Sequence, residues 1–140
     1  INYKIDGGSN TDTVSFSSSS NATLSGSSFS SLLSNVEYHD FSNTTNTVSV
    51  SLGGADIQNI LTGSSSLSSN AGVLDLKFEA GDTFTISASS GYSYYTAASG
   101  GTLISAGTTY NASSMSSSAT HIYVFNSAGT TLLADVFFHL

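Results

Sequence analysis

The 140-residue chain has no cysteine, proline, tryptophan or arginine, and its only basic residues besides histidine are Lys4 and Lys77. The absence of cysteine excludes disulfides and thiolate metal sites. The formal net charge is −7, and phosphate contacts require Arg and Lys, so we expect no nucleic-acid partner. No apolar run approaches the roughly 18 residues that a membrane-spanning helix needs, so we expect no membrane span.

Serine and threonine supply most of the polar residues, while 39% of the residues are hydrophobic and 11% are aromatic. This apolar content is enough to form a core, so we expect a folded chain rather than a disordered one. The length corresponds to one domain. We therefore predict a single β-domain over residues 1–140.

Alternation of apolar and polar residues predicts strands along most of the chain. NTVSVSL directs Val48, Val50 and Leu52 inward, VLDLKFEAGDTFTIS reads as a hairpin, and HIYVFNSAGTTLLADVFFHL reads as a strand pair with residues 130–140 as the last strand. Only residues 27–36 and 54–61 show short helical spacing. The prediction is an all-β fold, either an antiparallel β-sandwich or a β-roll-like stack, with one or two short helical connectors.

The opening stretch KIDGGSNTDTVSF approximates one turn of a calcium-binding β-roll, whose repeat is G-G-x-G-x-D-x-U-x with U a large apolar residue. Asn10 replaces the third glycine, and asparagine tolerates a left-handed backbone. Such a site needs ligands from a second copy, and the chain contains none. We interpret residues 1–16 as a degenerate turn and first strand and expect no cofactor. Calcium is the alternative, with Asp6, Asp12 and Asp82 as candidate ligands.

The opening motif is followed in order by LSNVEYHDF, VSVSLGGADIQNIL, LDLKFEAGDTFTIS and THIYVFNSAGTTLLAD. This succession resembles the repeat or C-terminal module of bacterial RTX-type surface adhesins and biofilm proteins, and it covers nearly the whole chain. The resemblance implies type I secretion and an extracellular location at the bacterial cell surface. Residues 135–140 also resemble the acid-then-apolar tail of type I secretion substrates, with a last core strand as the other interpretation.

Catalytic patterns are weak. The G-x-S-x-G elbow is absent, and His39 and Asp40 are adjacent, so a strand directs them to opposite faces. The three histidines lack zinc-ligand spacing. Paired carboxylates for glycoside hydrolysis cannot be placed from sequence, and solvated acids are the simpler interpretation. We expect no enzymatic activity.

Tyr92, Tyr94 and Tyr95 lie close together in SGYSYYTAASGG. If exposed, they form a patch that binds glycans or other surfaces, because a tyrosine offers a large contact area with little entropy to lose. In the alternative, they cap the core.

Sheet edges are normally protected by lysine and proline, which this chain almost lacks. We therefore expect an adhesin, surface-layer or filament subunit that forms a homo-oligomer or polymer, or that joins neighbouring repeats of a larger adhesin. Strand addition is expected at the terminal segments, through Ile1, Tyr3 and Ile5 or through Val136, Phe137 and Phe138. The alternative function is a glycan- or surface-binding adhesin domain, with or without a dependence on calcium.

Overall fold

The computed structural model describes residues 4–42, 45–64, 72–114 and 120–140. Ile1 and Tyr3, two of the predicted assembly residues, lie outside these ranges. The described residues are mainly strands with two α-helices. In chain order these elements are β1 (Ile5–Asp6), β2 (Thr13–Ser15), β3 (Ala22–Ser25), α1 (Gly26–Ser30), β4 (Leu33–Ser34), β5 (Tyr38–Asp40), β6 (Val48–Leu52), α2 (Gly54–Thr62), β7 (Val73–Lys77), β8 (Thr83–Ile86), β9 (Tyr92–Ala97), β10 (Gly100–Ile104), β11 (Thr109–Asn111), β12 (Thr120–Asn126) and β13 (Leu132–His139).

The strands form two large mixed sheets and a small parallel pair. The seven-stranded sheet has the order β10-β9-β12-β13-β7-β5-β2, the four-stranded sheet has the order β11-β8-β6-β3, and β1 pairs with β4. The chain alternates between the two large sheets from β2 to β8. Buried side chains from both sheets belong to one hydrophobic cluster.

The first two passages of the chain have the same form. Coil 1, residues 5–25, supplies β1, β2 and β3, and coil 2, residues 33–52, supplies β4, β5 and β6. Each strand of coil 1 pairs in parallel with the corresponding strand of coil 2. Strands β7 and β8 then pair in parallel with β5 and β6. The chain therefore stacks successive coils along the sheets.

A ladder of phenylalanine rings follows the same repeat inside the stack. Phe16, Phe41 and Phe78 come directly after β2, β5 and β7, at equivalent positions of successive coils. Their rings are stacked, with centroids 4.6 Å apart between Phe16 and Phe41 and 5.3 Å apart between Phe41 and Phe78. Burial of these rings contributes to the attraction between coils, because aromatic side chains remove large apolar areas from water.

The prediction of a mainly β fold is confirmed, but its antiparallel arrangement is wrong for the coiled part. Only the pairs β9–β10, β9–β12, β12–β13 and β8–β11 are antiparallel among the described strands. The predicted hairpin over residues 73–86 does not form, because β7 and β8 lie in different sheets. The strand pair of β12 and β13 and the inward side chains of β6 are confirmed.

Helix α2 agrees with the predicted segment 54–61. Asp56 lies in its first turn and accepts a hydrogen bond from the backbone N–H of Gly53, a favourable position for an acid at a helix N-terminus. Gly63 ends the helix with a φ of 74°, a conformation that glycine adopts without steric cost. The other predicted helix is shorter than expected, because α1 ends at Ser30 and β4 follows. Serine is a poor helix former.

Neither helix in the described ranges has the length and apolar character required to cross a membrane.

Candidate functional site

The structure places Asp6 and Asp12 in the turn that precedes β2. Asp6 Oδ1 accepts hydrogen bonds from the Asn35 side chain at 2.8 Å and from the Gly8 backbone at 3.0 Å. These bonds, the one from Asn35 first, lower the pKa of Asp6. Asn10 has the predicted left-handed backbone, with a φ of 86°. The motif therefore forms a turn between β1 and β2.

Asp12 lies closer to the stack. Its backbone N–H donates to Glu37 Oε2 at 2.8 Å, and its Oδ2 atom is buried without a hydrogen-bond partner among the described residues. Gly7 packs so closely against Asn35 and Asp12 that a Cβ atom would overlap both. The glycine is thus required for the close approach of coil 1 to coil 2.

Asp82, the third candidate ligand, lies between β7 and β8. Its side chain is fully buried, and its two oxygens accept hydrogen bonds from the backbone N–H groups of Val48 at 2.7 Å and Glu79 at 3.0 Å. Burial raises the pKa of Asp82 despite these bonds. Asp82 therefore fixes the starts of β6 and β8. Within the described ranges, no three His, Asp or Glu side chains come together as a metal site would require.

The predicted patch of three exposed tyrosines does not form. Tyr94 is only 2% exposed, and its hydroxyl donates to the Ser87 carbonyl and accepts from the Gly54 N–H. Burial raises the pKa of Tyr94 to about 12. The half-buried Tyr92 donates to Gln58 Oε1 at 2.7 Å. Both side chains pack against α2, which agrees with the core-capping alternative, and only Tyr95 points to the other face.

The C-terminal residues predicted for assembly lie in the middle of a sheet. Strand β13 pairs with β12 on one side and with β7 on the other, and Val136 and Phe138 are fully buried. Phe137 points to the solvent side of the sheet. Donation of β13 to another chain would open the core, so this segment is not an available strand donor. At the other terminus, Ile5 is 50% exposed although β1 pairs with β4.

Unlike β13, two strands of coil 1 lie at sheet edges. Strand β2 ends the seven-stranded sheet and β3 ends the four-stranded sheet, and no described strand lies beyond either. Val14, Phe16 and Leu24 point toward the core from coil 1 but remain partly exposed. We call this region, formed by the outer edges of β2 and β3 with these three side chains, the open end.

A second feature, the solvent side of the seven-stranded sheet, carries two histidine–aspartate pairs. His121 Nδ1 lies 3.0 Å from both carboxylate oxygens of Asp135, and His139 Nε2 lies 2.7 Å from Asp75 Oδ1. Phe137 lies between the pairs, with its ring centroid 4.7 Å from that of His121 and 5.1 Å from that of His139. We call this surface the outer face.

Sequence reasoning missed the outer face. The alternation in THIYVFN and LLADVFFH places these side chains on one side of each strand, so the signal was present. It becomes readable only when β12, β13 and β7 are aligned in register, which places Phe137 opposite His121 and Asp75.

No protein-family model, curated protein or solved structure matches this chain.

Proposed function

We propose that this chain is a non-catalytic structural module of an extracellular protein at the bacterial cell surface or in a biofilm. It joins a neighbouring module of the same kind through the open end. The observation that carries this proposal is that a repeating arrangement of parallel coils stops at β2 and β3, whose outer edges have no partner strand among the described residues. In finer terms, we propose a β-roll-like stack of two sheets that another module extends.

The open end offers backbone groups for strand pairing. The Phe16 N–H donates to the Asp40 carbonyl, and the Asp12 carbonyl accepts from the Tyr38 N–H. Even-numbered residues of this segment therefore bond to β5, and in a parallel strand the residues between them direct their backbone groups to the other side. Thr13 and Ser15 thus present their N–H and C=O groups at the edge of the sheet. On β3, the Ala22 N–H donates to the Thr47 carbonyl. By the same alternation, the backbone groups of Thr23 point to the outer edge of this sheet.

The same end offers apolar surface. Phe16 stacks on Phe41 and remains partly exposed, so a ring from a neighbouring module could continue the ladder. Covering Phe16, Val14 and Leu24 would remove apolar area from water, at about 25 cal/mol per Å². Backbone pairing and apolar burial therefore favour the same contact.

The opposite end of the seven-stranded sheet is protected from pairing. Strand β10 has a bulge between Gly100 and Leu103, where the register against β9 shifts. Bulges bend and twist a strand, which makes an edge a poor template for pairing. We expect isolated modules to associate open end to open end, which gives a closed dimer.

The test is the sedimentation of the purified chain over a wide concentration range, beside a double variant, Ser15→Lys with Thr23→Lys. These residues are exposed, so the lysines are tolerated by the monomer but place charges at both edges. We expect concentration-dependent dimers of the unmodified chain and a monomeric double variant with the same far-UV spectrum.

Thr102→Lys is the matched control, because Thr102 is an exposed threonine of the bulged strand β10. This variant should dimerise like the unmodified chain. A chain that remains monomeric at the highest concentration, or a double variant that still dimerises, would refute the proposal.

A further inference from the structure

Two grooves lie side by side on the outer face, on either side of Val73. The larger has a volume of about 390 Å³ and the smaller about 200 Å³. Each contains a tyrosine and an aspartate: Tyr38 with Asp75 in the larger groove and Tyr123 with Asp135 in the smaller. The same pair of side chains therefore occurs twice along one surface.

In each groove the two side chains are direct neighbours across a strand pair. Tyr38 lies opposite Asp75 in the pairing of β5 with β7, and Tyr123 lies opposite Asp135 in the pairing of β12 with β13. Residues at such positions have their side chains on one face and close together. A tyrosine ring and a carboxylate thus line each groove, and the sheet fixes the distance between them.

Histidines orient both carboxylates. His139 holds Asp75 through one oxygen, Oδ1, and His121 contacts both oxygens of Asp135. Each carboxylate oxygen has two lone pairs, so acceptor positions remain for a ligand. Rigid sheet positions and a fixed hydrogen bond reduce the entropy that these groups lose on binding.

The other residues that line the larger groove add hydroxyl groups and a third carboxylate, which is fixed by a hydrogen bond. Thr11 and Thr13 line the larger groove, and so does Glu37, whose Oε2 accepts the Asp12 N–H. Val73 is 47% exposed and forms the apolar ridge between the grooves. Flat rings, fixed acceptors, hydroxyls and an apolar ridge suit a ligand with both C–H faces and many hydroxyl groups.

Charge narrows the ligand class. Asp75, Asp135 and Glu37 would repel an anionic polymer, as would the net charge of −7. A cationic polymer is less favoured than a neutral one, because the carboxylates of Asp135 and Asp75 are already in contact with the rings of His121 and His139. We propose that the two grooves bind consecutive units of a neutral polysaccharide, with the tyrosine rings stacking on sugar faces and the carboxylates accepting sugar hydroxyls.

Affinity electrophoresis in native gels tests this inference, with dextran, galactomannan and xyloglucan as neutral probes and alginate as an anionic probe. We expect retardation by at least one neutral polysaccharide and none by alginate. Tyr38→Ala and Asp75→Asn should each weaken binding about tenfold, which is a modest loss of interaction energy. Tyr38→Phe, which keeps the ring, should bind like the unmodified chain.

Leu103→Ala is the matched control, because Leu103 is 61% exposed on the same sheet but lies on β10, away from both grooves. Thermal unfolding of every variant confirms that the fold is intact. Absence of retardation by all three neutral polysaccharides would overturn the inference, and so would retardation that Tyr38→Ala leaves unchanged. Binding to poly-L-lysine alone, lost on adding salt, would instead identify a cationic partner and also overturn it.

This inference and the proposed assembly fail separately. The groove variants leave the β3 edge and the inner side chains of the open end unchanged, so they should not alter dimerisation. The control Thr102→Lys should not alter retardation.

Discussion

Coil 1 and coil 2 have the same backbone arrangement but differ in how well their core side chains are covered. His39, Phe41 and Val50 of coil 2 are 0 to 1% exposed. Their counterparts one coil earlier are Val14, Phe16 and Leu24, which are partly exposed. Strands β5 and β6 of coil 2 have parallel strands on both sides, whereas β2 and β3 of coil 1 have a described strand on one side only. Burial at these positions therefore depends on the next layer of the stack more than on residue type.

The largest expected difference is between the alanine variants of Phe41 and Phe16, measured as the loss in free energy of unfolding. The two positions can be compared directly, because the same residue type occupies equivalent positions of the two coils. Phe41→Ala should lower the free energy of unfolding by about 3–5 kcal/mol, the usual cost of removing a fully buried phenylalanine. Phe16→Ala should cost about half as much, since its ring already contacts water. Urea unfolding at low protein concentration, where the chain is monomeric, measures both.

At high protein concentration the costs of Phe41→Ala and Phe16→Ala should become more similar, because the proposed dimer covers Phe16. Equal costs at low concentration would mean that coil 1 is already covered in the monomer. That result would contradict the account of the open end.

Part of the fold could be predicted from the sequence. Alternation identified β6, β12 and β13, because one face of each strand is fully buried. It did not reveal that β7 and β8 lie in different sheets, since a turn of Ala80, Gly81 and Asp82 fits a hairpin and a corner between sheets equally well. The difference lies in the buried Asp82, which bonds to the Val48 N–H across 34 residues. Such distant partners leave no local pattern.

The candidate site was harder to predict for a related reason. The period-two spacing of a strand places Tyr92 and Tyr94 on one face and Tyr95 on the other. Which face is buried depends on α2, which covers Tyr92 and Tyr94 through Gln58 and Gly54. The packing partner of a strand is a tertiary feature, so period-two spacing alone could not identify the exposed tyrosine.

His39 gives the next largest effect, because it lies in coil 2 beneath the open end. Burial lowers its pKa from 6.5 to about 4, and Nδ1 has no hydrogen-bond partner among the described residues. The folded state therefore binds this proton less readily than the unfolded state, so stability is full above pH 6.5 and falls as the pH drops toward 4. At about 1.4 kcal/mol per pH unit, the total loss is about 3 kcal/mol.

Urea unfolding between pH 7 and pH 4 measures this loss, with His39→Leu as the test variant and His121→Gln as the control on the outer face. The difference between the unmodified chain and His39→Leu should change by about 3 kcal/mol over this range. Asp82 contributes to stability in the opposite direction, because its raised pKa stabilises the folded state as the pH falls. Both chains contain Asp82, so its contribution cancels in the difference between them. If the difference is constant with pH, His39 does not titrate as described.

Calcium should have the smallest effect, although the sequence of the turn in coil 1 resembles a calcium-binding pattern. Asp6 already accepts two hydrogen bonds, and both oxygens of Asp82 are bonded to backbone N–H groups inside the core. We expect the same thermal midpoint in EDTA and in millimolar calcium. If the chain bound calcium, a calcium concentration 100 times the dissociation constant would instead raise the free energy of unfolding by about 2.7 kcal/mol. If calcium does raise the midpoint and Asp12→Asn abolishes the rise, the buried Oδ2 of Asp12 is a ligand. Coil 1 would then be completed by a metal ion, and the contrast with coil 2 should shrink in its presence.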